Sequence, residues 1–563
     1  MGRCELPGRD VREPISCELP VSESKRPSEL KKSSRSLAGI AGIVAIATLV
    51  SKVFGLGRQI LVAAVFGVGS AYGAYQFATI IPSFFLILLG GINGPFHSAM
   101  VSVLAKKDKR EAVPVIETIS TLVGLVMLVL TAIVVVSAPQ LLTLVAPGLA
   151  EKEPLVREIA IHQLRIMAPT AWFAGMIGIG FGALNAADVY WLPSISPLLS
   201  SVTIVVAVGG LAFWLGSQVS DPQYALLGGS VLAGAFVVGT VLQWVAQAIA
   251  QKQAGLGGFR LRLDLKNPVV KDVLTVMGPA LFASGMLQIN VYTDMYFTSY
   301  LEKPSAAVSA LDYANLLVQT PLGILSNVIL VPLLPVFSQL SDPQNWGALK
   351  QRIRQGILIT AIVMLPLSGL MISLSTSIVR VVYQRGAFQT EASQLVATVL
   401  IAYAIGMFVY LSRDVLVRVF YALGDSDTPF KISLVNIFLN ALFDYLLLPF
   451  GVQGLVLATV SVNVLSVIAL TYFLNRRLGG LAWRSWAASI CGLTLISILS
   501  GVTSWGILTM LQNGWSAQNF LIQVLQLAIA GAAGLLTFSL MVSQFRLPEV
   551  ELFTQQIRQR LGR

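Results

Sequence analysis

A small number of ionised or strongly polar side chains sit inside the long apolar runs of this chain, and they suggest two kinds of chemistry. Lys52 and Arg58 lie in the first run, Arg165 lies beside His162 in the fourth, and Arg413, Asp414 and Arg418 share the tenth. A charge at bilayer depth costs about 2.5–3.5 kcal/mol or more, so each needs a cavity, a partner or a role. A guanidinium offers a planar fork of donors and an ammonium a compact charge, a combination that suits a pyrophosphate. Lys52 and Arg58 are the first candidates to bind such an anion, and Arg165, Arg413 and Arg418 are candidates to add positive charge. Structural roles remain open for them: Lys52 could snorkel to a membrane face, and Arg413 could pair with Asp414.

The second chemistry is cation binding. Asp294 lies in the seventh run, and Asn440 and Asp444, four residues apart, share one face of the eleventh. Thr459 in the twelfth adds a hydroxyl. Hard oxygen ligands suit a small hard cation such as sodium, which also neutralises carboxylates that are costly in lipid. Protonated acids, or hydrogen bonds to helix ends, are the alternative. The two histidines, His97 and His162, are too isolated to build a metal site. Cys4, Cys17 and Cys491 are widely spaced and form no disulfide framework. The chain has no phosphate-binding loop of the form Gly-x-x-x-x-Gly-Lys-Ser/Thr and no nucleophile–base constellation. Neither intrinsic ATP hydrolysis nor other enzyme activity is expected, and no covalent cofactor.

These side chains must be positioned by membrane helices. Of the 563 residues, 55% are hydrophobic and only 12% charged, about half the charged share of a soluble chain. Apolar spans fall near 38–66, 72–104, 113–137, 155–184, 190–215, 223–249, 268–300, 306–338, 353–382, 392–422, 430–449, 452–474, 484–511 and 519–543. Each is long enough to cross a hydrocarbon core of about 30 Å, for which roughly 20 residues suffice. The expected fold is all-α integral membrane with about fourteen transmembrane helices. Pro82, Pro95, Pro169, Pro279 and Pro321 predict kinks. Residues 1–36 and 546–563 read as polar cytoplasmic tails, the first too poor in apolar residues to bury a core.

The net charge of +11 is read as orientation, not nucleic-acid binding. Basic residues gather in the links after even-numbered spans: Lys106, Lys107, Lys109 and Arg110; Arg260, Arg262 and Lys266; Lys350, Arg352 and Arg354; Arg476, Arg477 and Arg484. The positive-inside rule then puts both termini in the cytoplasm. An internal repeat is also present. Phe181-Gly-Ala183-Leu184 matches Phe420-Tyr-Ala422-Leu423, and Pro82 matches Pro321, both at one offset of 239 residues (420 − 181 and 321 − 82). Six spans separate the copies, so equivalent helices point the same way. Two pseudo-symmetric six-helix lobes, 37–251 and 266–476, are expected around a central cavity, with two extra C-terminal helices in 484–545.

Several motifs carry a resemblance. Ser51-Lys-Val-Phe-Gly-Leu-Gly-Arg58, Phe66-Gly67, Leu144-Val-Ala-Pro-Gly148, Tyr383-Gln-Arg-Gly-Ala-Phe388, Arg418-Val-Phe-Tyr-Ala-Leu-Gly-Asp425, Thr428-Pro429-Phe-Lys431-Ile432 and Gly451–Thr459 occur in the order found in the MurJ (MviN) lipid II flippases. The chain resembles that family across spans one to twelve. The resemblance implies the multidrug/oligosaccharidyl-lipid/polysaccharide exporter fold in a bacterial inner membrane. It implies translocation of an undecaprenyl-pyrophosphate-linked cell-wall precursor, with the tail in a groove formed by the last two helices. It implies cationic binding residues at Lys52 and Arg58, and a sodium site at Asp294, Asn440, Asp444 and Thr459. Membrane lipids and cell-wall synthesis proteins are the expected neighbours. The chain departs from the family pattern in span two, where Phe84–Leu89 holds no cation, and in span eight, where Leu316 replaces an arginine and Gln319 an acid. These departures keep two rivals in view: an exporter of another lipid-linked saccharide or a drug/cation antiporter of the same superfamily, and a non-transporting scaffold.

Overall fold

In hydrocarbon every backbone N–H and C=O must be satisfied within the protein, so apolar runs of this length become helices. The computed structural model describes residues 50–90, 95–104, 108–187, 189–258, 260–515 and 519–544, and these contain helices and no strand. The two expected tails, Cys4, Cys17, Lys106 and Lys107 lie outside the described residues.

Helix α1 covers residues 50–66. It is followed by α2 (Ser70–Leu88), α3 (Pro95–Leu104), α4 (Lys109–Val136) and two short helices, α5 (Ala138–Val145) and α6 (Leu149–Lys152). Next come α7 (Pro154–Met167), α8 (Thr170–Ala186), α9 (Trp191–Ile195), α10 (Leu198–Leu215) and α11 (Ala225–Gln253). The second half holds α12 (Pro268–Leu287), α13 (Ile289–Thr298), α14 (Pro304–Gln339), α15 (Trp346–Ser373) and α16 (Ser375–Tyr383). It continues with α17 (Thr390–Ala422), α18 (Asp427–Leu447) and α19 (Val452–Arg477). The chain ends on α20 (Trp483–Gly514) and α21 (Phe520–Gln544).

Among the described residues ten helices are long and apolar enough to cross a membrane, or eleven with the bent pair α7 and α8 taken as one. This is below the expected count of about fourteen. The difference falls on α1, described only from residue 50, on α12 and α13, which break at Gln288, and on α14, which carries three internal prolines. Of the expected proline kinks, the bend between α7 and α8 is seen. Pro169 stands between α7 and α8, which meet at 42°, and Pro82 and Pro321 are carried inside α2 and α14. Pro154 and Pro304 open α7 and α14, where the missing N–H is harmless.

Helix packing repeats in the two halves. α2 lies on α7 and α14 on α17; α4 lies on α8 and α15 on α17; α10 pairs with α11 and α18 with α19. Between the halves, α2 meets α14, α3 meets α12 and α5 meets α13. α20 and α21 pack on each other and against α15. Large apolar side chains stand on the outside, Phe213 at 93% and Leu521 at 77% exposure, which suits lipid as the solvent.

One polar knot fixes the link between α17 and α18. Asp425 accepts hydrogen bonds from the Thr428 amide and hydroxyl, both at 2.9 Å, and from the Arg477 guanidinium at 2.7 Å. Arg477 also donates to the Leu423 carbonyl, so the end of α19 is tied to this link. Burial alone would raise the Asp425 pKa, but the Thr428 bonds and the Arg477 charge outweigh it and hold the carboxyl below its usual range. The folded state then binds this proton less tightly than the unfolded chain does. The stabilisation is complete above the unfolded value of about 3.9 and is lost as pH falls through the lower folded value. In thermal unfolding of the detergent-solubilised protein, Asp425→Asn should lower the melting temperature at neutral pH. The gap from the parent should close as pH drops below about 4.

Candidate functional site

At the helix ends opposite the basic links 260–266, 350–354 and 476–484 the two halves meet main chain to main chain. There the turn after α1 needs Gly67 at φ +56°, and the turn after α16 needs Gly386 at φ +54°, a left-handed region unfavourable to other residues. The Ala387 amide donates to the Ala64 carbonyl at 2.8 Å, main chain to main chain across the halves. A Cβ at residue 386 would stand 2.3 Å from that carbonyl oxygen, and one at Gly148 would stand 2.2 Å from the Ser299 carbonyl oxygen. The Gly148 amide donates to the Ser299 hydroxyl at 3.1 Å. Glu153 closes the same end by accepting from the Ser305 amide and hydroxyl, both at 2.9 Å, at the start of α14. These contacts give physical content to the Phe66-Gly67, Leu144–Gly148 and Tyr383–Phe388 motifs.

Aromatic rings fill the space behind this seam. Tyr313 lies 5.1 Å from Tyr72, 5.1 Å from Tyr383 and 5.4 Å from Phe388, centroid to centroid, and all four side chains are buried. The Tyr313 hydroxyl donates to the Gly67 carbonyl at 2.9 Å, and the Tyr383 hydroxyl to the Tyr313 carbonyl at 3.2 Å. Beside the rings, Asp312 accepts from the Tyr72 hydroxyl at 2.6 Å and from the Gln59 side-chain amide. Sequence reasoning passed over Asp312, although an acid within an apolar span is the same signal that singled out Asp294.

Beneath the seam the interior is polar. A cavity of about 420 Å³ is lined by Asp294, Asn315, Gln319, Tyr403, Arg413 and Asp414 among others. Arg413 is held there by the hydroxyls of Ser466 and Ser433, both at 3.1 Å, with Asp414 a looser partner at 4.0 Å. Lys52 reaches the same cavity: its Nζ lies 2.7 Å from where a Cβ on the lining residue Gly323 would stand. Arg58 is half-buried, and its charge acts on Asp312 and Tyr72, without a close ion pair to Asp312 among the described residues. The structure therefore brings Lys52 and Arg413 to one cavity and places Arg58 beside the Asp312 cluster. Arg418 is placed differently, donating to the Leu330 carbonyl at 3.0 Å and so tying α17 to α14. Arg165 is exposed on α7 and is not among the residues lining this cavity.

The residues singled out for a cation also converge. The Asn440 amide donates to Asp294 at 2.8 Å and to Asp444 at 2.9 Å, bridging two carboxylates from α13 and α18. Asn440 and Asp444 are buried. Thr459 shares a cavity wall with Asp294 and another with Asn440. Two buried oxygens nearby, Asp444 Oδ1 and Asn290 Oδ1, have no hydrogen-bond partner among the described residues. Two acids, amide oxygens and a hydroxyl fit a small hard cation, which would satisfy the orphaned oxygens and offset the carboxylate charge. A smaller cavity, about 190 Å³, is lined by Asp294, Asn315, Thr459, Gln76 and Asp312 among others. It joins the carboxylate pair to the seam.

Comparison with known proteins agrees with this geometry. Residues 62–526 match the family model described as "Lipid II flippase MurJ". The chain is 51% identical over 533 residues to the "Probable lipid II flippase MurJ" of Synechocystis sp., covering 94% of this chain and 99% of that one. It is 28% identical over 501 residues to the "Lipid II flippase MurJ" of Burkholderia cenocepacia, covering 86% and 92%. Among solved structures, its fold is similar to a lipid II flippase MurJ in an inward closed conformation, with a TM-score of 0.70 and 22% identity over 89% of this chain and 98% of that one. It is also similar to an inward-facing multidrug resistance transporter of the MATE family, with a TM-score of 0.62 and 14% identity over 77% and 98%.

The seam makes a direct prediction. Gly386→Ala adds a Cβ against a main-chain oxygen and forces a left-handed conformation on alanine. A destabilisation on the order of 1–3 kcal/mol is expected, read as a lower melting temperature. An alanine at exposed Gly210, where a Cβ would meet nothing within 4 Å, should leave stability unchanged or raise it.

Proposed function

The chain belongs to the MurJ family of lipid II flippases, multi-pass transporters of the inner membrane and not enzymes, and we propose that it moves its lipid-linked peptidoglycan precursor by alternating access of the two halves. The observation that carries this reading is a closed seam at one end of the molecule with a polar, cation-bearing cavity beneath it. The basic links belong to the cytoplasmic face by the positive-inside rule, which puts both termini inside and the seam outside. The described state is then closed outward. A pyrophosphate headgroup enters from the cytoplasm toward Lys52, Arg58 and Arg413, while the polyprenyl tail stays in lipid beside α20 and α21. Opening of the seam and closing of the cytoplasmic side then presents the headgroup outward.

Charge supports each stage. Arg413 replaces part of the positive charge that the family places in spans two and eight and this chain lacks; Ser433 and Ser466 hold it in position, with Asp414 only a looser partner at 4.0 Å. Sodium at Asp294, Asn440, Asp444 and Thr459 couples the cycle to an ion gradient. Movement of net charge across the membrane adds about 2.3 kcal/mol per elementary charge per 100 mV. A ligand can bias the two states only by its differential affinity for them, so the cations must grip the headgroup more strongly in one state than in the other.

Rescue of a bacterium depleted of its own lipid II flippase tests this reading. The parent chain should restore growth. Lys52→Ala, Arg58→Ala and Arg413→Ala should each reduce rescue by about tenfold or more, as expected for losing a charged hydrogen-bonding group. Arg165→Ala should rescue fully. Full rescue by Lys52→Ala and Arg58→Ala together would remove the cationic cavity from the mechanism. Transport by the reconstituted protein should also rise with sodium, and Asp294→Asn should abolish that rise; equal rates in sodium and choline would exclude sodium coupling.

A further inference from the structure

We propose that Asp312 is the charged latch of the outward seam, a positioning residue that holds the halves together through Gln59 and Tyr72. The direction of the seam rests on the reading above; the latch itself rests on geometry. Asp312 belongs to α14, and its donors belong to α1 and α2 of the other half. Both bonds arrive at one carboxylate oxygen, Oδ2. Gln76 braces the arrangement by donating to the Tyr72 hydroxyl at 2.8 Å. Bonds to an ionised acceptor are about twice as strong as neutral ones.

The nearest cation, Arg58, lies on the same helix as Gln59 and acts on Asp312 through its charge, without a close ion pair among the described residues; the carboxylate's hydrogen bonds come from neutral donors. The other titratable groups around the latch are Tyr72 and Tyr75 of α2, Tyr313 of α14, Tyr383 of α16 and Tyr403 of α17, with Asp294 across the 190 Å³ cavity. Parting the halves removes both Gln59 and Tyr72 from the carboxylate at once. An acid stripped of its donors in a low-dielectric interior is costly, so the seam resists opening until Asp312 is satisfied in another way. The cavity that also touches Asp294 and Thr459 gives water or a cation a route to it.

The test reads seam opening without requiring transport. In a variant free of its three native cysteines, Ser309→Cys places a fully buried thiol on α14, one turn toward the seam from Asp312. Whole cells are treated with a membrane-impermeant thiol reagent. Labelling should be slow in this background and about five-fold faster with Asp312→Asn, the change expected for roughly 1 kcal/mol of lost latch. Tyr72→Phe deletes a single hydroxyl and should also speed labelling, including where Asp312→Asn fails to accumulate in the membrane. The combined variant should be no faster than the stronger single change, because both act on one interaction. Unchanged labelling in both single variants, or effects that multiply independently, would overturn the latch. Acceleration seen only in inverted vesicles would uphold the latch and overturn the assigned orientation, which separates the two failures.

Discussion

Main chain meets main chain where the two halves join, and the rest of the molecule is arranged around that contact. Ala387 is bonded to Ala64, and Gly386 and Gly148 are pressed against carbonyls of the opposite half with no room for a Cβ at either glycine. Approach this close is possible only with glycine at those positions. Below the joint lie polar cavities, and toward the basic links the halves meet again where α3 packs on α12, with Leu104, Val270 and Val273 in one apolar cluster. A contact made from backbone geometry and stacked rings is also one that is either formed or broken, because packed interfaces are bistable and do not deform continuously.

A second regularity concerns how charges are kept at depth. Arg413 is held by two serines, the Asp294–Asp444 pair by an asparagine, and Asp312 by a glutamine and a tyrosine. In each case the hydrogen bonds that orient the ionised group come from neutral partners, with Asp414 at 4.0 Å a looser ionic partner of Arg413. A close ion pair would satisfy the same group but cancel the charge a ligand needs to see. This arrangement suits a carrier whose bound charges come and go. Arg418 and Arg477 show the contrast: they are spent on carbonyls and on Asp425, and they hold helices together.

Much of this was legible in the sequence because lipid imposes a simple rule on composition. Long apolar runs announce helices, and a charge inside such a run announces a cavity or a partner, which is how Lys52, Asp294 and Asp444 came into view. The four-residue spacing of Asn440 and Asp444 gave their shared face directly. Other features were hidden for physical reasons. A charge within a helix says nothing about which face it occupies, so Arg165 was grouped with cavity residues although it stands exposed on α7. The break at Gln288 falls where the sequence has no proline, and local bonds such as that from the Gln288 amide to the Gly285 carbonyl carry the backbone across it. The partners of Asp312 lie 240 and 253 residues away, in the other half, where no local pattern reaches.

The most direct measurement is to fix the joint and ask whether transport stops. Cysteines at Ala64 and Ala387, joined by a short bifunctional thiol reagent that can be cleaved, would tether the halves where their backbones touch. In proteoliposomes the tethered protein should fail to move lipid II between leaflets, and cleavage of the tether should restore the rate. Transport at the parental rate with the tether intact would contradict the account, since the halves would then never need to part at that end.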